Sequence, residues 1–224
     1  MVLIFMHLME TIINNMKYLL YILIFVPIII FGQGSTGWKS PGTAENITGF
    51  GANAWLNPTR ATASDNSRAY CSANPPNEFV YSNYLRCSNY SIDIPEDSVV
   101  VGIEFRIEKQ CEDYYHGDEI MKDTIVRLVI GGTITGSNYK SALAWPDAVD
   151  GTITYGGATD LWGTTISVAE VEASTFGIVL AVKMYDTGLN TGAYVDVIQV
   201  NVHYDAPPPA PAVLNKNVFI GNNF

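Results

Sequence analysis

Between Ser98 and Ile107 the chain reads Ser-Val-Val-Val-Gly-Ile-Glu-Phe-Arg-Ile. Val99, Val101, Ile103, Phe105 and Ile107 share one parity, and Val100, Gly102, Glu104, Arg106 and Glu108 share the other. Strict alternation gives one dry face and one wet face, which is the pattern of a half-buried β-strand. The rhythm recurs over Asp123 to Ile130, over Phe176 to Met184 and over Tyr194 to Tyr204. Short turns punctuate it: Pro95-Glu96-Asp97, Gly131-Gly132, Trp145-Pro146-Asp147 and the glycine-rich stretch after Asp186. Proline presets one turn position and glycine supplies the conformations other residues resist. About eight such strands predict an all-β fold, an antiparallel two-sheet sandwich of jelly-roll type.

The order of segments follows from composition. Lys17 precedes fourteen uncharged residues, Tyr18 to Phe31, the pattern of a secretory signal peptide. The run is short for a membrane span and contains Pro27. The expected leader is 1–32, with Met16 the true start, cleavage after Gly32 and a secreted or cell-surface product. An uncleaved anchor is the alternative. Residues 33–54 read as an irregular arm with Trp38 tucked against the body, 55–205 as the sandwich and 206–212 as a stiff proline-rich linker. Residues 213–224 form a short apolar tail, with Val213, Leu214, Val218, Phe219 and Ile220 as its strand-like contacts. Such a tail can add to the sheet edge of a neighbouring subunit, or lead into a longer chain.

Export permits a disulfide, and three cysteines leave one over. Folding a hairpin about Phe79 sets Cys71 opposite Cys87, so that pair is the expected bridge. Cys111 is then a buried thiol or an intermolecular partner.

The chemistry-bearing residues are few. A net charge of −10 with no basic run argues against nucleic acid. No nucleophile elbow, zinc-binding helix or phosphate loop is present, and His116 and His203 are the only histidines beyond the leader. Glu104 and Glu108 are the candidate carboxylate pair of a glycosidase, but any solvated strand face gives that spacing. The expectation is therefore no enzyme. Glu112, Asp113, Asp118, Glu119 and Asp123 crowd one excursion and supply oxygens of the kind calcium takes; a solvated loop is the alternative, and no cofactor is required. Tyr114, Tyr115, Tyr139, Trp145 and Tyr155 are candidate sugar-stacking rings, against a reading as ordinary strand and core aromatics. Trp145 and Trp162 suit plugs at the ends of the core. Asp196 shares parity with inward Ile198 and Val200, so it requires a partner. Arg127 is the candidate for a structural ion pair, with capping hydrogen bonds the alternative.

The runs Trp55-x-Asn57-Pro58, Gly131-Gly132-Thr133 and Tyr155-Gly156-Gly157-x-x-Asp160-Leu161-Trp162-Gly163, with Phe176-Gly177 and Val195-Asp196, carry a resemblance over about Trp55 to Tyr204. They resemble a family of phage-associated and bacterial structural proteins of tail-fibre-like or hypothetical label. The resemblance implies a non-enzymatic β-sandwich of extracellular or virion assemblies and brings no catalytic residues with it. The leader, the Cys71/Cys87 pair and the proline linker depart from that family. The leading functional expectation is a structural or adhesive subunit of an extracellular appendage, a homo-oligomer or polymer assembled by tail-strand donation. The alternative is a carbohydrate-binding module, calcium-dependent or not, with glycans as partners.

Overall fold

The computed structural model describes residues 32–207, apart from 74–77, 113–120 and 186–190. Eleven strands are present among the described residues: β1 (Gly32–Ser35), β2 (Thr43–Ile47), β3 (Ala69–Ser72), β4 (Phe79–Tyr81), β5 (Tyr84–Ser88), β6 (Val99–Glu112), β7 (Met121–Ile130), β8 (Thr133–Thr135), β9 (Gly151–Gly157), β10 (Gly177–Tyr185) and β11 (Gly192–Ala206). They form two antiparallel sheets. The first has the order β1-β11-β6-β9, with β3 also on β11. The second has the order β2-β5-β10-β7-β8, with β4 also on β10. Successive long strands change sheet, which is the jelly-roll wiring expected from the sequence.

The anchor strand β6 holds Ile103, Phe105 and Ile107 fully inward. Phe105 sits among Tyr90, Trp162 and Phe176, with ring centroids 5.8, 5.8 and 6.1 Å away. Trp162 closes one end of this core and is fully buried. Its indole N–H donates to Ile103 O at 2.9 Å, and its backbone N–H donates to Asp160 Oδ1 at 2.7 Å. These bonds hold a non-glycine residue at φ 60°. Gly156 is required beneath it. That residue has φ +80°, and a Cβ there would lie 2.2 Å from Ile103 O and 2.6 Å from the indole nitrogen. The Tyr-Gly-Gly to Trp-Gly run is thus a packing device. The short helix α1 (Val168–Glu172) carries a capping box, formed by Ser167 and Glu170.

Two β-bulges change which side chains face inward. Between β6 and β11 the register shifts at Val195/Val197 and at His203/Tyr204. A bulge inserts one unpaired residue and turns the following side chains to the other face. Val100 is therefore buried while Val99 is 61% exposed, against the parity expected from alternation. Val195 and Ile198 are both fully buried, and Asp196, the unpaired residue of the bulge between them, turns to the outer face yet is itself buried, at 1% exposed, under the Asp65–Asn66 backbone. Tyr204 is likewise only half-buried.

Three other expectations are corrected. The region 33–54 is not an irregular arm, because β1 pairs with β11 and β2 pairs with β5. β3 and β5 do not pair with each other: β3 lies on β11 in the first sheet and β5 on β10 in the second. Cys71 and Cys87 consequently sit in opposite sheets as buried free thiols. Their thiols approach Asn53 O at 3.5 Å and Ala61 O at 4.0 Å. Burial pushes the Cys71 thiol up to about 12 and raises Cys87 as well, so neither is a ready thiolate. Finally, β10 does not alternate between core and water: Gly177 to Val182 are buried throughout, as befits a strand inside its sheet.

Two outcomes follow. Phe105→Ala costs about 3–5 kcal/mol of stability, read from urea unfolding. Alkylation under denaturing, non-reducing conditions labels both Cys71 and Cys87 in peptide maps; protection of both contradicts the assignment to separate sheets.

Candidate functional site

The interior carries a polar cluster between the sheets. Lys109 continues the inward parity of Phe105 and Ile107, and its side chain has no solvent exposure. Its Nζ donates to Asp123 Oδ1 on β7 at 2.6 Å and to the Tyr155 hydroxyl on β9 at 2.6 Å. The Tyr155 hydroxyl donates to Asp123 Oδ2 at 2.6 Å. Trp145 Nε1 donates to Asp123 Oδ1 at 2.7 Å, and the backbone N–H of Ser141 donates to Oδ2 at 3.1 Å. The Lys109 ammonium also lies 4.5 Å from the Trp145 ring centroid. Burial lowers Lys109 from the usual lysine value, and Asp123 opposes that shift. Burial and the same carboxylate raise the Tyr155 phenol.

This cluster reassigns three residues. Asp123 is not a loop oxygen for calcium, because both of its oxygens accept from interior donors. Trp145 and Tyr155 are each 4% exposed and form no sugar platform. Trp145 closes the core at this end, as its alternative reading held. Glu112 accepts from the Tyr194 hydroxyl at 2.6 Å. Asp113, Tyr114, Tyr115, His116, Asp118 and Glu119 lie outside the described residues, as do residues 1–31 of the leader and the tail positions Val213, Leu214, Val218, Phe219 and Ile220.

The outer face of the first sheet carries a polar ladder. Glu104 accepts from Asn201 Nδ2 at 3.3 Å and lies 2.8 Å from His203 Nε2. Arg106 donates to Gln199 Oε1 at 2.7 Å and lies 4.5 Å from the centroid of Trp38, which is half-buried as the sequence suggested. Glu108, Asp150 and Asp196 bring carboxylate oxygens within 4.8 Å of one another. Arg68 forks onto Asp150 at 3.1 and 2.5 Å. Asp196 accepts the backbone N–H groups of Asp65 and Asn66 at 3.4 and 3.1 Å. Capping hydrogen bonds, not Arg127, therefore partner Asp196. Arg127 instead forks onto Gly136 O at 3.0 and 2.8 Å in the other sheet. Glu104 and Glu108, four residues apart on one strand, are separated by roughly 13 Å of backbone. A cleft of ≈ 280 Å³ lies here, lined by Ser64, Arg106, Glu108, Thr152, Val197 and Gln199.

The outer face of the second sheet is different. Tyr81, Lys183 and Lys122 are in register across β4, β10 and β7, so their side chains form one row. Phe79 and Tyr185 form the next row, with ring centroids 4.8 Å apart. Phe79 is 48% and Tyr81 40% exposed. The loop after β8 brings Lys140 and Ser141 alongside, and Thr124 completes a groove of ≈ 400 Å³. The loop is tied to the buried cluster by the Ser141 N–H bond to Asp123, and Asn138 Oδ1 caps the N–H groups of Val126 and Lys140 at 2.9 and 3.3 Å. Tyr139 is not a stacking ring on this face: it packs 4.5 Å from Trp162. The face was not found from the sequence. Its residues are scattered over four segments, and only strand pairing gathers them.

No protein-family model matches this chain, and no curated protein matches it. Similar solved structures include a family 29 carbohydrate-binding module from Piromyces equi, at 8% identity and TM-score 0.33, covering 75% of this chain and 89% of that one. The family 11 carbohydrate-binding module of a cellulosomal cellulase of Clostridium thermocellum gives 8% identity and TM-score 0.30, covering 81% and 91%. The family 11 module from the same organism in complex with a beta-1,3-1,4-mixed-linked tetrasaccharide gives 12% and 0.29, covering 82% and 92%. Overlaps this loose carry no argument from those sites to this one.

Lys109→Met leaves the Asp123 carboxylate buried without its countercharge and costs about 3–5 kcal/mol in chemical unfolding. Adding Asp123→Asn removes that charge and recovers part of the loss; strictly additive costs contradict the pairing. On the first sheet, burial raises the Asp196 carboxyl, with Glu108 and Asp150 adding to it against the two N–H bonds. A raised carboxyl binds protons more readily folded than unfolded. Wild type therefore gains stability relative to Asp196→Asn as the pH falls from neutral through that raised value towards about 4. A difference that stays flat with pH contradicts this.

Proposed function

We propose that this chain is a non-catalytic, exported β-sandwich that binds glycans on the outer face of its second sheet. The observation that carries the reading is the open groove lined by the exposed Tyr81 ring with Lys122, Thr124, Lys140, Ser141 and Lys183, beside which Phe79 is also exposed. Sugars offer flat apolar ring faces and dense hydroxyl groups. Aromatic rings receive the first, and amine and hydroxyl side chains on rigid strands receive the second. The engagement of Glu104 with Asn201 and His203 supports a binding role without hydrolysis.

A second reading, an adhesive subunit that assembles with copies of itself, is favoured by β9. Among the described residues its only strand partner is β6, and Gly151–Gly157 contains no charge or proline to block further pairing. The tail that was expected to supply the donor strand lies outside the described residues. Light scattering over a concentration series tests this reading: growth of large species supports it, and a constant monomer mass contradicts it.

For the leading reading, a glycan array on the full chain returns a defined set of ligands. Tyr81→Ala weakens the best of them about tenfold, since a stacked aromatic contact is worth about 1–2 kcal/mol, with an unchanged melting temperature. An array without hits, or binding unchanged in Tyr81→Ala and Phe79→Ala together, contradicts it.

A further inference from the structure

A second pocket, of ≈ 370 Å³, opens at the other end of the same outer face. Thr43, Ser88 and Gly177 form one register row across β2, β5 and β10, and Glu45, Arg86 and Val179 form the next. Ser88 lines the pocket and is 7% exposed, yet its hydroxyl has no hydrogen-bond partner among the described residues. Gly177 beside it has no side chain to cover that hydroxyl. A hydroxyl held in a pocket in this way keeps one donor and two acceptor positions for whatever enters. The side chains of Thr43, Asn89, Ser174 and Thr175 stand around it, and they too lack partners among the described residues. Ser174 and Thr175 are fixed in a turn closed by the Phe176 N–H bond to Ala173 O at 2.9 Å. Arg86 donates twice to Glu45 Oε1, at 2.9 and 2.5 Å, so the two charges in the pocket offset each other.

We infer that this pocket is a second saccharide subsite, which takes a neutral, hydroxyl-rich sugar residue of a chain whose other residues lie in the Tyr81 groove. This rests on the glycan-binding reading of the same face. Strand β10 joins the two places: Lys183 lines the first and Gly177 borders the second, about 20 Å apart along the strand. Between them Phe50 is 39% exposed, with its ring centroid 5.8 Å from that of Tyr81 and 5.5 Å from that of Tyr84. Tyr84 shares the outward parity of Arg86 and Ser88 on β5. Aromatic surface thus runs from the first groove towards the second. A short oligosaccharide fills the Tyr81 groove alone. A longer one passes Phe50 and Tyr84 and sets a sugar against Ser88, Asn89 and Thr175. Sugar hydroxyls donate and accept, as do the side chains that line this pocket, so they pair in both senses. The offset charges of Arg86 and Glu45 favour no ionic substituent. The main stacking contact stays at Tyr81, and the subsite adds a dependence on chain length.

The test starts with affinity electrophoresis of the full chain through gels containing neutral β-glucan, xylan or galactomannan. Calorimetric titration follows, with the disaccharide-to-hexasaccharide ladder of the polymer that retards the chain most. Affinity rises about fivefold once the oligosaccharide spans both places, the net worth of about one hydrogen bond. Ser88→Ala removes that gain and leaves the affinity of the short oligosaccharides as it was. The exposed Ser174→Ala/Thr175→Val variant reduces the gain with an unchanged melting temperature, and it decides the matter if Ser88→Ala melts lower. Tyr81→Ala weakens every length alike. An affinity that is flat with chain length, or a gain that persists in both pocket variants, overturns the inference while leaving a glycan-binding face. Retardation by none of the polymers overturns both.

Discussion

The buried pair of Lys109 and Asp123 is the interaction on which the rest of the molecule depends. It joins β6 of one sheet to β7 of the other through the interior, with no solvent reaching either side chain. Placing two charges there is costly unless every donor and acceptor is matched. The chain meets that condition by converging on Asp123 from three other segments: Tyr155 from β9, Trp145 from the turn before it, and the Ser141 backbone. One carboxylate thereby fixes the spacing of the sheets, the closure of one end of the core and the course of the loop beside the second sheet. The opposite end relies on shape: Trp162 is seated over Gly156 and against Phe105.

The outer faces follow from how this framework is decorated. On the first sheet, acids and bases meet one another: Glu104 with His203 and Asn201, Arg106 with Gln199, Asp196 with two backbone amides. Much of that face is occupied with its own contacts, with Glu108 beside the carboxylates of Asp150 and Asp196. On the second sheet the strand pairing places lysine against lysine and leaves two aromatic rings exposed. A surface with partly exposed aromatic rings beside an open groove is the one suited to a partner. This contrast favours the second sheet as the binding face.

The sequence revealed the fold class because alternation in β6 and β7 and the glycine turns are local signals. The capping box at Ser167 and the plug at Trp162 were legible for the same reason. Lys109 was legible too, since it extends the parity of Phe105 and Ile107, yet a charged residue at the end of an apolar alternation reads first as the strand leaving the core. The bulges were not legible. Val99 and Asp196 landed on unexpected faces because one extra residue inverts the pattern, and no residue type marks the insertion here. The Cys71–Cys87 bridge failed because proximity in sequence stood in for pairing, and jelly-roll wiring sends β3 and β5 to different sheets. Asp123 looked like part of an acidic loop, but it is the first inward acid of a strand. The groove's residues come together only through the register of β4, β10 and β7 and the loop after β8, which no spacing along the chain encodes.

The most direct measurement is amide NMR of the isotope-labelled chain titrated with the best glycan, following every resonance at once. The account predicts shifts concentrated on Phe79 to Tyr81, Lys122 to Thr124, Lys140 to Ala142 and Lys183 to Tyr185, with the first-sheet ladder at Arg106 and Gln199 unmoved. Shifts centred on that ladder, with the second-sheet face silent, would contradict it.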